Sequence, residues 1–355
     1  MWNSNSQLFG DGKVVFFGFA RAALLYALNL LGLRTGQNVL VPSFICDSAL
    51  SPFRHKGIDI IFYPVHEDLR IDLEQAERLG NNSTCAFLAV NYFGFPQDYA
   101  AVTAFCQDRH LILIEDNAHG FLSSSERHQL GGYGDVAICS FRKDLPVPNG
   151  AALIINNPAI AQEALASMLP PLSRPRLSLT VKAIAKALDL RLGAHLIHFW
   201  RTLQRDDTAL NAAQTHLMEE FSLDSYMEQC SLYTQAVLRL LNIDHFREQR
   251  RIRFDSWREH CGGSTEAQPI WNRLPESVVP QVFPIRAAEP ERYMERLRSD
   301  TGIKASRWPR LPKVVRENIG DYPPFYTRVV TMPLDGEQAM RKPACFGSPD
   351  QIWRG

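Results

Sequence analysis

The chain has 355 residues, and its 38 lysines and arginines are matched by 38 aspartates and glutamates. That length suggests about two domains with room for a large core, while zero formal net charge argues against bulk attraction to nucleic acid or another polyanion. The seven cysteines (46, 85, 106, 139, 230, 261 and 345) form no CxxC pair, so they suggest neither a disulfide framework nor a zinc knuckle.

The opening MWNSNSQLFGDGK has no basic n-region and no long apolar run, so we expect no secretory leader and a cytoplasmic setting. No uncharged stretch approaches the ~18–20 apolar residues of a membrane span. Short apolar runs then alternate with helical patterns. The predicted strands are Val39–Val41, Asp59–Tyr63, Ala86–Val90, Leu111–Ile114, Val136–Phe141 and Ala151–Ile155. Their Val, Ile, Leu and Phe content is that of strands buried on both faces. The predicted helices are Arg21–Leu31, Cys46–His55, Asp72–Leu79 and Gln97–Arg109. Such alternation predicts an α/β fold on an open, mostly parallel sheet, with sites outside the carboxyl ends of its strands.

Residues from 158 to about 256 show long helical periodicity, broken by the prolines of MLPPLSRPRLS. The His195 and His198 pair there lacks an HExxH context and is read as helix surface or core, so no metal site is expected. Beyond 257 the pattern is mixed. VVPQVFPIRA (278–287) reads as a strand, and PERYMERLRSDTG (290–302) as a helix with a glycine cap. The expected division is a large domain over 1–256 and a smaller α+β domain over 257–355.

Chemistry gathers at the strand ends. In LILIEDNAHG an aliphatic run enters Glu115 and Asp116, with His119 three residues later. A buried carboxylate is costly unless paired, although an aspartate here also suits a cap or turn. The next strand ends in Ser140-Phe141-Arg142-Lys143, and DLPVPNGAAL follows as a proline-stiffened turn. In FFGFARAALLYAL, small residues open a helix where backbone N–H groups can meet an anion. A carboxylate, an amine and an anion cradle at one sheet edge are what pyridoxal 5'-phosphate needs: an acidic partner for its ring nitrogen, a lysine for its aldehyde and a helix start for its phosphate.

These segments resemble the DegT-type family of fold-type-I pyridoxal phosphate enzymes, best known as nucleotide-sugar aminotransferases. ARAALLYALNLLGLRTGQNVLVPSFICDSAL is similar to the family's opening, FLAVNYFGFPQD to its V-x-x-Y/F-G-x-P turn, and LILIEDNAHG to L-I-E-D-x-A-Q/H. GGYGDVAICSF, VPQVFPIRA and TGIKASRWPRLP resemble later family segments. The resemblance implies Asp116 at the pyridinium nitrogen and His119 near the ring hydroxyl. It implies Lys143 as the catalytic lysine and Ser140 with the backbone of Ala20 and Arg21 at the phosphate. It further implies Cys46 on the ring face and Tyr226 at the partner subunit's phosphate, in a homodimer. Glu115 is read as a structural strand-end partner. The implied reaction carries an amino group, with glutamate as donor, to a keto sugar in polysaccharide or natural-product biosynthesis.

The chain departs from the family at three places. Lys143 lies three residues after Ser140 instead of five, PNGAAL replaces a glycine-rich turn, and Ser225-Tyr226 stands for an Asn-Tyr pair. RKDLPVPNG is similar to a family branch with R-K-x-L-P-V-P-D-G. Three alternatives stand beside transamination. One is dehydration, for which relatives carry histidine in place of the lysine. Another is the S-x-x-K motif of β-lactamases, here without SDN or KTG. The last is a non-catalytic member with a binding role. Separately, residues 171–205 hold seven Lys or Arg (Arg174, Arg176, Lys182, Lys186, Arg191, Arg201 and Arg205) against Asp189 alone. They read as an amphipathic helix whose charges are solvated, or border the site and attract a phosphorylated substrate, or lie on a membrane surface.

Overall fold

A computed structural model describes residues 3–125, 128–166, 171–172 and 227–334. In chain order these form α1 (Asn5–Phe9), β1 (Lys13–Phe17), α2 (Ala20–Leu30), β2 (Asn38–Pro42), α3 (Ser51–His55), β3 (Asp59–Tyr63), α4 (Leu73–Leu79) and β4 (Thr84–Val90). Then come α5 (Tyr99–Asp108), β5 (Ile112–Asn117), β6 (Val136–Cys139), β7 (Ala151–Ile155) and α6 (Pro158–Ala166). After residue 227 follow α7 (Leu232–Leu240), α8 (Ile243–Cys261), β8 (Ala267–Pro269), β9 (Val282–Ala287), α9 (Pro290–Thr301), β10 (Ser306–Arg307), α10 (Lys313–Glu317) and β11 (Val329–Pro333).

The first sheet has seven strands in the order β1-β7-β6-β5-β4-β2-β3. Strands β3, β2, β4, β5 and β6 run parallel, as the strand–helix alternation predicts. β7 runs antiparallel to β6 and β1. The reason lies in the connection: a parallel return needs a crossover of a dozen or more residues, and the segment from Ser140 to Gly150 is a tight turn. Every residue of β2 and β7 is buried, which accounts for their unbroken apolar runs. α2 is buried on nearly all sides, with eight of its eleven residues in the core, and so reads as apolar all round rather than amphipathic.

Several elements differ from the expectation: the strand predicted over Val136–Phe141 ends at Cys139, with Phe141 in a 3₁₀ turn, and the strand predicted over 278–287 begins only at Val282. β1, KVVFF, lies outside the predicted strands, just before the start of α2. The helix predicted over Cys46–His55 is instead a 3₁₀ turn, Asp47–Leu50, followed by α3. Pro52 sits in the first turn of α3, where its missing N–H is harmless, whereas it would break a continuous helix. The predicted cap of α9 is present, with Gly302 left-handed at φ 73.

A second, antiparallel sheet has the order β10-β11-β9-β8. Phe283, Ile285, Val330 and Met332 of this sheet pack in one core with Phe254 and Trp257 of α8. The boundary expected at 257 thus falls within α8. No helix among the described residues is long and apolar enough to cross a membrane. The basic segment lies, from residue 173 onward, outside the described residues, as do Ser225, Tyr226 and the His195 and His198 pair.

Candidate active site

Parallel pairing sets Asp116 beside Ile138 and Asn117 beside Cys139, so β5 and β6 end together at one sheet edge. Glu115 and Asp116 are both buried there, and strand alternation sends their side chains to opposite faces. Glu115 accepts from Asn91 Nδ2 (2.8 Å) and from the backbone N–H groups of Gly131 (2.6 Å), Tyr133 (3.0 Å) and Gly134 (3.2 Å). It pins the loop before β6, the structural role expected of it. Burial raises its pKa, and these four donors oppose the rise.

Asp116 accepts from the Ala118 N–H at 3.0 Å, as a turn aspartate does. Its burial exceeds what a turn needs, since only 7% of it is exposed. Burial raises its pKa, while the positive charge of Lys143 and the Ala118 N–H pull it down. The carboxylate therefore sits in the field of Lys143 and favours a further cation.

His119 is buried with its ring stacked on Phe93 (5.5 Å between centroids, 2° between planes) and edge-on to Trp308 (5.0 Å). Its Nδ1 is buried and meets no hydrogen-bond partner among the described residues. Burial first, and then the charge of Lys143, hold its pKa well below the ordinary imidazole value. The ring is thus neutral near pH 7, with one nitrogen still to be satisfied.

Lys143 ends a short 3₁₀ turn, Phe141–Lys143, whose first flanking residue is the buried Ser140. This is a strand end, not the helix start of an S-x-x-K serine enzyme. Lys143 and His119 line one cavity of about 330 Å³ together with Arg250, Gln281, Val282, Lys304, Ser306, Trp308, Thr331 and Pro333. Neither Arg250, Lys304, Trp308 nor Phe93 stands among the site residues expected from the sequence. Trp308 lies in the segment TGIKASRWPRLP, so a signal existed for it; Arg250 lies in a strongly polar helix where nothing in the sequence marks it as buried.

α2 opens at Ala20 with Phe19 as a cap that offers no side-chain oxygen. The Arg142 guanidinium stands 5.3 Å over the Phe19 ring, and its pKa is lowered by burial and then by the charge of Arg21. Two cations therefore flank this helix start. Cys46 is half-buried, hydrogen-bonds Ser48 at 3.3 Å, and lies outside the cavity lining near Tyr92. The PNG turn is firmly built: Asn149 Oδ1 accepts from the Ser231 N–H at 3.1 Å, and the Gly150 N–H donates to Gly18 O at 2.7 Å.

Residues 6–177 match the model of the DegT/DnrJ/EryC1/StrS aminotransferase family. Over this stretch, just under half of its length, the chain is similar to that family. Similar proteins include a dTDP-4-dehydro-2,3,6-trideoxy-D-glucose 4-aminotransferase of Saccharopolyspora spinosa, 31% identical over 155 residues, or 43% of this chain and 40% of the relative. A GDP-perosamine synthase of Vibrio cholerae is 28% identical over 146 residues, 40% of each chain. The matched stretch thus spans about two fifths of the length of these relatives. In fold the likeness extends further. S. venezuelae DesV superposes with a TM-score of 0.65 at 20% identity, over 95% of this chain and 84% of that one. The PLP-form of the putative sugar aminotransferase Spr1654 of Streptococcus pneumoniae gives 0.66 at 17% identity, over 94% and 84%. The α/β fold of these solved structures therefore runs through the described C-terminal sheet as well.

Proposed function

We propose that the chain is a pyridoxal 5'-phosphate-dependent aminotransferase that transfers an amino group, with glutamate as donor, to a nucleotide-linked keto sugar. The observation that carries this reading is the meeting of Asp116, His119 and Lys143 at the carboxyl edge of one sheet. The residues fit the cofactor. Asp116 is a buried carboxylate that favours a cation and would hold the ring nitrogen. His119 Nδ1 is buried without a partner among the described residues and would meet the ring hydroxyl. Ser140 and the start of α2, with Arg21 and Arg142 beside it, suit the phosphate. When bound, the cofactor supplies an electron sink for the substrate α-carbon.

The chain's own groups do the rest. Lys143 Nζ would take the proton from the substrate α-carbon and pass it to the cofactor carbon that had borne the aldehyde, a service that contributes ~10²–10⁴-fold. Phe93 and Trp308 wall His119 from water. The cavity lining carries Lys304 and no acid among the described residues, which suits an anionic, nucleotide-linked acceptor. Lys143 at the cavity wall and the well-built PNG turn favour a working site over a non-catalytic or dehydratase-like one. A homodimer in the cytoplasm, serving polysaccharide or natural-product biosynthesis, completes the proposal; the exposed Leu232 and Leu240 of α7 are the kind of surface a partner copy covers.

The experiment is incubation of the cofactor-loaded chain with L-glutamate and then with nucleotide-linked keto sugars, with mass spectrometry of the products. The expected products are 2-oxoglutarate and an amino sugar. Asp116→Asn should keep the cofactor bound and lower the rate by orders of magnitude. No amino transfer from any donor to any keto sugar, or full turnover by Asp116→Asn, contradicts the reading.

A further inference from the structure

Lys143 sits at the end of a turn that does little to fix it. The turn has three residues and is held by the Asp144 and Leu145 N–H groups donating to Phe141 O (3.1 and 2.8 Å) and by two longer bonds of 3.3 Å, from the Arg142 N–H to Gly150 O and from the Lys143 N–H to Ser140 O. Such 3₁₀ turns have poorer hydrogen-bond geometry than an α-helix. Something else must fix the backbone from which the long lysine side chain departs.

That something is the next residue. The Asp144 side chain is 4% exposed and lies 3.3 Å from Arg250 Nη1, whose own side chain is 5% exposed. Arg250 Nη2 also donates to the Asp144 backbone oxygen at 3.3 Å. Nη1 donates to Gln281 O at 2.5 Å and Pro280 O at 3.4 Å. The Gln281 N–H in turn donates to Phe93 O at 3.0 Å, and Phe93 carries the stacked His119 ring. One guanidinium on α8 thus ties the lysine turn to the approach of β9 and, through it, to the platform under His119.

A buried ion pair is a poor way to gain stability, because desolvation offsets most of the attraction, and apolar replacements of like volume are often neutral or better. A planar fork that grips a side chain and three carbonyl oxygens is a good way to fix geometry. We propose that Arg250 and Asp144 are positioning residues, a clamp that holds the Lys143 amine against the cavity, and that holding the amine in place is what the pair contributes. This rests on the reading that Lys143 carries the cofactor.

The test uses the full chain freed of cofactor and two probes. Pyridoxal 5'-phosphate reports covalent capture: the lysine nitrogen joins the aldehyde carbon with loss of one water, and borohydride fixes the link for mass mapping. Pyridoxamine 5'-phosphate has no aldehyde and reports non-covalent binding alone. The variants are Asp144→Asn, Arg250→Lys and both together. Each single change should slow capture on Lys143 by about tenfold to a hundredfold, as small displacements of a reacting group do. Pyridoxamine 5'-phosphate affinity should stay near that of the unaltered chain, and the double variant should be no slower than the slower single one. Should Arg250→Lys fail to fold, Asp144→Asn, which exchanges one oxygen for an amide nitrogen, decides alone. Unaltered capture in the variants overturns the clamp, and so does a loss of capture that only tracks loss of pyridoxamine 5'-phosphate binding and of Tm. If the unaltered chain captures nothing on Lys143, the functional reading falls and the clamp with it. If it captures normally and the variants match it, the clamp alone falls.

Discussion

His119 has been taken out of water, with no hydrogen-bond partner for its Nδ1 among the described residues, and this has a measurable cost. Its pKa in the folded chain lies well below the ordinary value, through burial and then through Lys143. The unfolded chain, near 6.5, therefore binds a proton that the folded chain refuses, so stability is intact above that value and is lost as pH falls through it. Removing the imidazole with His119→Gln should abolish this part of the acid loss. Urea titrations of the cofactor-free chain at pH 7.5 and 5.5 should show the unaltered protein losing about 1 kcal/mol more than the variant. Asp116 has the opposite sign, because its pKa is raised: its share of stability is lost as pH rises from about 3.9. Both proteins keep Asp116, so it drops out of the comparison. Equal losses in the two would mean that His119 ionises as freely folded as unfolded.

At this scale the sequence was readable where strand periodicity assigns faces. Glu115 and Asp116 are neighbours, and the motif separates a loop-pinning carboxylate from one turned toward Lys143. Arg250 was not readable. Its burial arises from the meeting of α8, the lysine turn and the segment before β9, which are far apart in the chain.

Among the elements, the turn between β6 and β7 decides most. Its brevity makes β7 antiparallel and brings Lys143 back over the edge where Asp116 ends. Gly150 closes it in space that no side chain can share: a Cβ there would lie 2.3 Å from Phe141 Cε2 and 2.9 Å from Thr234 Cγ2. Gly150→Ala should therefore overpack the turn and lower stability by about 1–3 kcal/mol, read as a lower urea midpoint with unchanged slope. A midpoint equal to that of the unaltered chain would show that the Phe141 ring yields freely and that the turn is not rigid. The strands from β2 to β7 were legible because their apolar runs lie between turn signals. β1 was not, since an edge strand of five residues carries little pattern of its own. The broken helix at Cys46–His55 shows the limit of periodicity, which continued through Pro52 while the backbone could not.

For the whole molecule, the described residues form two sheets with the candidate cavity walled by both, His119 and Lys143 from one side and Ser306, Thr331 and Pro333 from the other. This arrangement was only partly visible in sequence, because the motif at Trp308 pointed to a family segment without saying that it faces His119. The proposed homodimer predicts a mass near twice 40.2 kDa in sedimentation at assay concentration. A monomer with full activity at the same concentration contradicts it.

The central claim is that Lys143, three residues after Ser140, is the cofactor lysine. Its most direct test is borohydride reduction of the chain loaded with pyridoxal 5'-phosphate, followed by peptide mapping. The account predicts a pyridoxyl group on the peptide that contains Lys143 and on no other; a label on a different lysine, or on none, contradicts it.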